Sequence, residues 1–167
     1  MHVHHQYVIY FLLQVEDILS ASSKFARVSS DFHNSFDTSF TSLELLAYHE
    51  YNDQLMELER AFLLPPSTHP TFFVTSSSGQ QRTAMSTSTY RHVIHGPSPL
   101  DASQIDFLPR LKAALEIAKA AGSESTEAWN VVKREAFFVV DALESAACVL
   151  QNHLIDTTEE ENSGVTS

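Results

Sequence analysis

Trp129, Val132, Ala136, Val140, Leu143, Ala147, Leu150 and Leu154 recur at spacings of three and four. Positions spaced this way stack on one face of an α-helix. The run therefore predicts a long helix with a continuous apolar seam, as in an antiparallel bundle or coiled coil. Ser125 or Thr126 is placed to cap it, and Glu127 falls in the first turn, where the macrodipole favours an anion. Phe137, Phe138 and Val139 sit between the seam residues Ala136 and Val140. Such an unbroken apolar stretch wraps the whole helix, and a helix apolar on every side has to be covered on every side.

The rest of the chain has the same character. All 167 residues contain only 4 Gly and 6 Pro, and the Pro residues cluster between Pro65 and Pro109. Long stretches on either side are free of helix breakers. A first helix is predicted from Tyr10 to Phe36, with Phe11, Val15, Ile18, Ser22, Phe25, Ser29 and Phe32 on one face. Asp37-Thr38-Ser39 breaks it, and a second helix extends to about Leu63, before Pro65-Pro66 stop it. Leu55, Leu58 and Phe62 share a face of that helix. No helical period survives from Pro65 to Asp101. Residues 65–89 form a Ser/Thr-rich loop expected to be flexible, and Tyr90 to Pro97 suits a short extended segment. A third helix is expected from about Ser103 to Ala121. Pro109 is tolerated only in its first turn, which puts its start between Gln104 and Phe107, and Gly122 terminates it. Phe107, Leu108, Leu111, Leu115 and Ala118 form its apolar stripe. The fold class is all-α: a bundle of about four helices with one long loop between the second and third.

A net charge of -11 repels phosphate backbones and anionic lipid, which argues against nucleic-acid and membrane partners. A single cysteine, Cys148, excludes an internal disulfide framework, and its Ala-rich apolar surroundings predict a buried, inert thiol. The apolar run Tyr7 to Leu13 is shorter than the ~20 residues of a membrane span, and it lacks the flanks of a signal peptide. The chain is expected to be soluble as given.

Candidate chemistry is sparse. His92 and His95 would bring two imidazoles together for a metal only on a helix, and Gly96-Pro97 oppose one. His92 is instead expected to be packed or hydrogen-bonded. Asp53 and Glu57 share a helical face, but a solvated surface with Arg60 nearby is the simpler home for them. No Gly-x-Ser-x-Gly elbow or Gly-rich phosphate loop is present. No catalytic residue, metal ligand or cofactor-binding residue is expected. Trp129, at the head of the apolar seam, reads as a core or interface anchor. Phe137, Phe138, Val140, Leu143, Leu58 and Phe62 belong to the same class.

Three blocks resemble one family. Asn52-Asp53-Gln54-Leu55-Met56-Glu57-Leu58-Glu59-Arg60-Ala61-Phe62 is similar to the second-helix signature of the transferrin receptor-like dimerisation domain. Tyr90-Arg91-His92-Val93-Ile94 with Gly96-Pro97 resembles the segment before its third helix. Ala128-Trp129 with Val132-Lys133-Arg134 resembles the start of its last helix. The order agrees, and Phe107-Leu108-Pro109 falls where the family opens its third helix. The resemblance spans about Phe11 to Leu150, within a domain expected over residues 11–155. Residues 1–10 do not resemble the family, and residues 156–167 are expected to be an acidic, loose tail.

The resemblance implies a helical domain that packs against a partner protomer, as in glutamate carboxypeptidase and its fungal and plant relatives. In that family zinc is held by a preceding metallopeptidase domain, whose ligands are not in this chain. Relatives specific for a C-terminal glutamate carry a Lys-Tyr pair where a gapless reading places Ala102-Ser103, and neither residue offers a cation or phenol to a carboxylate. The expected function is non-catalytic homodimer assembly, with itself or a full-length relative as partner. The alternative is the C-terminal fragment of a zinc carboxypeptidase. The parent family is often membrane-anchored, with this domain on the extracytoplasmic side.

Overall fold

A computed structural model describes the backbone of residues 2–39, 45–65, 74–75, 81–82, 91–98, 103–122 and 125–163. Within these it describes the side chains of 14–35, 49–65, 91–98, 103–122 and 125–151. The order among the described residues is α1 (His2–Ser39), α2 (Leu45–Ala61), β1 (Val74–Thr75), β2 (Gln81–Arg82), β3 (His95–Pro97), β4 (Ile105–Phe107), α3 (Pro109–Ala121) and α4 (Thr126–Ser163). The protein is thus mostly helical, with two short antiparallel strand pairs, β1 with β2 and β3 with β4. Both pairs lie between α2 and α3. Most of the expected flexible loop at 65–89 lies outside the described residues.

The chain divides into two compact units, Met1–Ile18 with Leu63–Val140, and Leu19–Phe62 with Asp141–Ser167. The long helices α1 and α4 each contribute to both.

In the first unit α3 and α4 pack through small residues. Ala114, Ala118, Ala128 and Val132 are buried together, with Leu111, Leu115, Ile117, Trp129 and Val131 against them. Alanine at the contact lets two helices approach closely, and the larger side chains close the edges. Of the two candidate caps of α4, Ser125 takes the role. Its hydroxyl accepts from the Ala128 N–H at 3.5 Å, and its carbonyl accepts from the Trp129 N–H at 3.2 Å. Gly122 ends α3 at φ 84°, ψ 169°, a conformation that only glycine adopts readily.

In the second unit Val28, Phe32, Tyr51 and Leu150 form the core, with Phe25 and Leu58 packed on it. The Phe32 and Tyr51 rings lie 4.6 Å apart. The Tyr51 hydroxyl donates to the Phe32 carbonyl at 3.0 Å, so this buried phenol is satisfied. The expected face of α1 is the one that turns inward: Ala21, Val28 and Phe32 are buried, and Val15, Ile18, Ser22, Phe25 and Ser29 are half-buried.

Several sequence expectations are corrected. α3 starts at Pro109 and not between Gln104 and Phe107. Ile105–Phe107 pairs instead with His95–Pro97, and Leu108 turns the chain in the left-handed region at φ 52°. Phe107 is therefore 56% exposed on a strand and is no part of a helical stripe. α2 ends at Ala61, with Leu63 bridging to His92. Leu55 is on the same side of the helix as Leu58 and Phe62 but is not covered with them. It lies at the rim of the arc and is 48% exposed. α4 continues to Ser163, through most of the expected loose tail, and α1 begins at His2. Cys148 is exposed and not buried, because the inward arc of α4 there belongs to Ala146, Ala147 and Leu150.

Candidate interface and its polar anchors

The start of α3 is tied to α4 by a buried ion pair. Arg110 Nε donates to Glu135 Oε2 at 2.8 Å, and Arg110 Nη2 donates to Glu135 Oε1 at 3.2 Å. The two side chains are only 5% and 1% exposed. A cation in the first turn of a helix opposes the macrodipole, and the bidentate carboxylate offsets this. The Arg110 guanidinium also lies 5.9 Å from the Phe138 ring centroid. Arg134, one of the family-motif residues, lies 3.6 Å from Glu135 on the exposed side. Neither Arg110 nor Glu135 stood out in the sequence. A carboxylate in an apolar seam, flanked by Val132 and Ala136, is the one signal that would have found the pair.

The predicted anchors separate by exposure. Leu143 is buried, and Trp129, Phe138, Val140, Leu58 and Phe62 are half-buried. Phe62 meets Phe25 edge-to-face at 5.7 Å. Val139, which completes the apolar run, is core at 3% exposed. Phe137 alone of the named anchors is open, at 61% exposed.

The motif residues separate in the same way. Asn52, Asp53, Glu59 and Arg60 are exposed, and Gln54 is half-buried. The Lys133 carbonyl accepts from Gln14 Nε2 at 3.3 Å. Arg91 is exposed, its Nε donates to the Leu64 carbonyl at 3.4 Å, and its own carbonyl accepts from the Leu64 N–H at 2.9 Å. Pro97 lies in β3 opposite Ile105.

His92 has a structural role. Its Nδ1 accepts from the backbone N–H groups of Ile94 at 3.2 Å and His95 at 3.1 Å, which holds the turn into β3. This is the geometry of an Asx-turn with imidazole in place of a carboxamide. His92→Asn should therefore keep the turn, because Oδ1 can occupy the acceptor position. His92→Phe should loosen it and lower stability by about 1–2 kcal/mol, as two N–H groups lose their acceptor. Denaturant unfolding of the two variants checks this, and equal stabilities would contradict it. On the facing strand Asp106 is ion-paired with Lys112. Chiefly that hydrogen bond, and then one from Ser98, holds the Asp106 carboxyl below the ordinary carboxylate value.

Among the described residues no three His, Cys, Asp or Glu side chains converge to hold a metal ion. No described helix is long and apolar enough to cross a membrane. The arrangement offers packing surfaces and buried polar ties.

Comparison with known proteins agrees with this geometry. Residues 13–151 match the transferrin receptor-like dimerisation domain. The chain is also 37% identical over 99 residues to a mouse (Mus musculus) protein named aminopeptidase NAALADL1. That match takes in 59% of this chain and 11% of the mouse protein's length, so the chain spans a small part of that relative. The family match extends through α2, α3 and most of α4, and the chain belongs to the transferrin receptor-like dimerisation domain family.

Proposed function

We propose that this chain is a non-catalytic self-association module that assembles a glutamate carboxypeptidase-like protein into homodimers, pairing with itself or with a full-length relative. Membership of a dimerisation-domain family carries the reading. The exposure of large apolar residues, with Phe137 at 61% and Met56 at 51%, supports it. A second reading makes the chain the C-terminal part of a zinc peptidase. It is favoured by the match to 11% of a longer aminopeptidase, and on it zinc and catalysis belong to the peptidase part. Sedimentation velocity over a range of concentrations tests the first reading. A two-fold dimer is expected, because an isologous contact closes on itself. A well-folded monomer at every concentration would refute it.

A further inference from the structure

The polar residues of the α2 motif are not tied down within the fold. Asn52, Asp53, Glu59 and Arg60 are exposed, and none of the four side chains has a hydrogen-bond or ion-pair partner among the described residues. Met56 stands between them, 51% exposed. The inward side of the same helix is taken by Tyr51, Leu58 and Phe62.

At about 100° per residue, these positions form an ordered patch. Asp53 and Arg60 lie on one flank of Met56, and Asn52 and Glu59 lie on the other. Along the axis, Asn52 and Asp53 stand about one turn before Met56, and Glu59 and Arg60 about one turn after it. The patch is therefore close to symmetric in position about Met56 and antisymmetric in charge on the Asp53–Arg60 flank.

Such a pattern is complementary to itself under one operation. A two-fold axis at the level of Met56, perpendicular to the plane of two α2 helices, sets them antiparallel and brings like flanks together. Asp53 then faces Arg60 of the second copy, and Arg60 faces its Asp53. The Asn52 carboxamide faces the copy's Glu59 carboxylate, to which it can donate. Met56 meets Met56 at the centre, where a flexible thioether packs against its own image. A parallel two-fold pairing would instead bring unlike flanks together, setting Asp53 beside the copy's Asn52 and Arg60 beside its Glu59, so Asp53 meets a cation only in the antiparallel register.

We propose that this outward face of α2 is a pairing contact and that its occupant is the α2 of a second copy of the chain, antiparallel about Met56. The proposal rests on the self-association reading above and adds its register. Stable interfaces bury about 1,200–2,000 Å² in total, so this contact is one part of the assembly and not the whole of it.

Charge reversal in the full chain tests it. Asp53→Arg places two pairs of like charges across the axis, and Arg60→Asp does the same with the opposite sign. Each should weaken dimerisation by about tenfold or more in sedimentation equilibrium. The double variant Asp53→Arg/Arg60→Asp restores opposite charges at both places and should recover to within about threefold of the parent. Circular dichroism shows that each variant keeps its helices, as substitutions at exposed positions should. If the parent dimerises and the single reversals leave its affinity unchanged, or the double variant is as weak as the singles, the α2 contact is wrong while self-association stands. If the folded parent is a monomer at every concentration, self-association fails and the contact with it.

Discussion

Glu135→Gln will be the most destabilising single change of charge in the described part of the protein, by about 3–5 kcal/mol. The carboxylate is 1% exposed and takes both donors of a guanidinium that is itself 5% exposed. Removing the negative charge takes from the buried Arg110 the carboxylate that its Nε and Nη2 both meet. Arg134 lies 3.6 Å from the same carboxylate and adds to the excess of positive charge. Neither the Phe138 ring nor the α3 N-terminus can take its place: a ring face 5.9 Å away attracts a cation far less than a carboxylate does, and the helix dipole repels it. Arg110→Met should cost a similar amount, since it strands the carboxylate instead. Replacing both together, Arg110→Met with Glu135→Leu, should cost much less than either alone, because an ion pair's desolvation penalty disappears with the pair. Urea unfolding of the parent, Arg110→Met, Glu135→Leu and the double variant closes the double-mutant cycle, with Glu135→Gln measured beside them. A single-variant loss below about 1 kcal/mol, or plain additivity, would show that the pair does not hold α3 on α4.

The elements that were legible in the sequence share a physical cause. α1 and α4 announce themselves because their inward residues repeat at helical spacing over many turns, and a small error at one position does not alter the pattern. Ser125 and Gly122 mark ends whose backbone chemistry depends on one residue. The start of α3 was not legible. Phe107, Leu108 and Leu111 satisfy a helical period, yet Pro109 at the first helical position and Leu108 in the left-handed region stop the helix from reaching back. The backbone before it pairs with His95–Pro97, a partner distant in sequence that no local pattern reveals. Cys148 was misplaced for a different reason. A run of small apolar residues reads as uniformly buried, whereas a helix rotates one residue of every such run outward. Among the candidate interface residues, the sequence identified an apolar band on α4 but not which members of it face out. Exposure, and not apolarity, separates Phe137 from Val139. The Arg110–Glu135 tie was invisible for the opposite reason, as charged residues are ordinarily assigned to the surface.

Phe137→Asp is expected to weaken self-association by about thirtyfold while leaving the fold of the chain intact. Five apolar residues in a row, Ala136 to Val140, cannot all face one core, and exposure shows how the helix distributes them. Ala136 and Val139 are buried, Phe138 and Val140 are half-buried, and Phe137 is 61% exposed. An aromatic ring left this open is costly in water and gains most from burial against a second molecule. Aromatic anchors of this kind carry about 2 kcal/mol or more in protein interfaces, which is the factor of about thirty. The neighbouring ring is the control. Phe138 stacks its face toward Arg110, so Phe138→Ala should lower the stability of the chain by about 1–3 kcal/mol, less than a fully buried Phe would. It should change the dimer constant little once the protein is folded. Phe137→Asp, at an exposed position, should shift stability by no more than about 0.5 kcal/mol. Sedimentation equilibrium and urea unfolding on both variants separate the two roles. If Phe137→Asp dimerises as the parent does, the exposed ring is no part of the pairing surface. If the two variants exchange effects, the assignment of Phe138 to the fold and Phe137 to the interface is reversed.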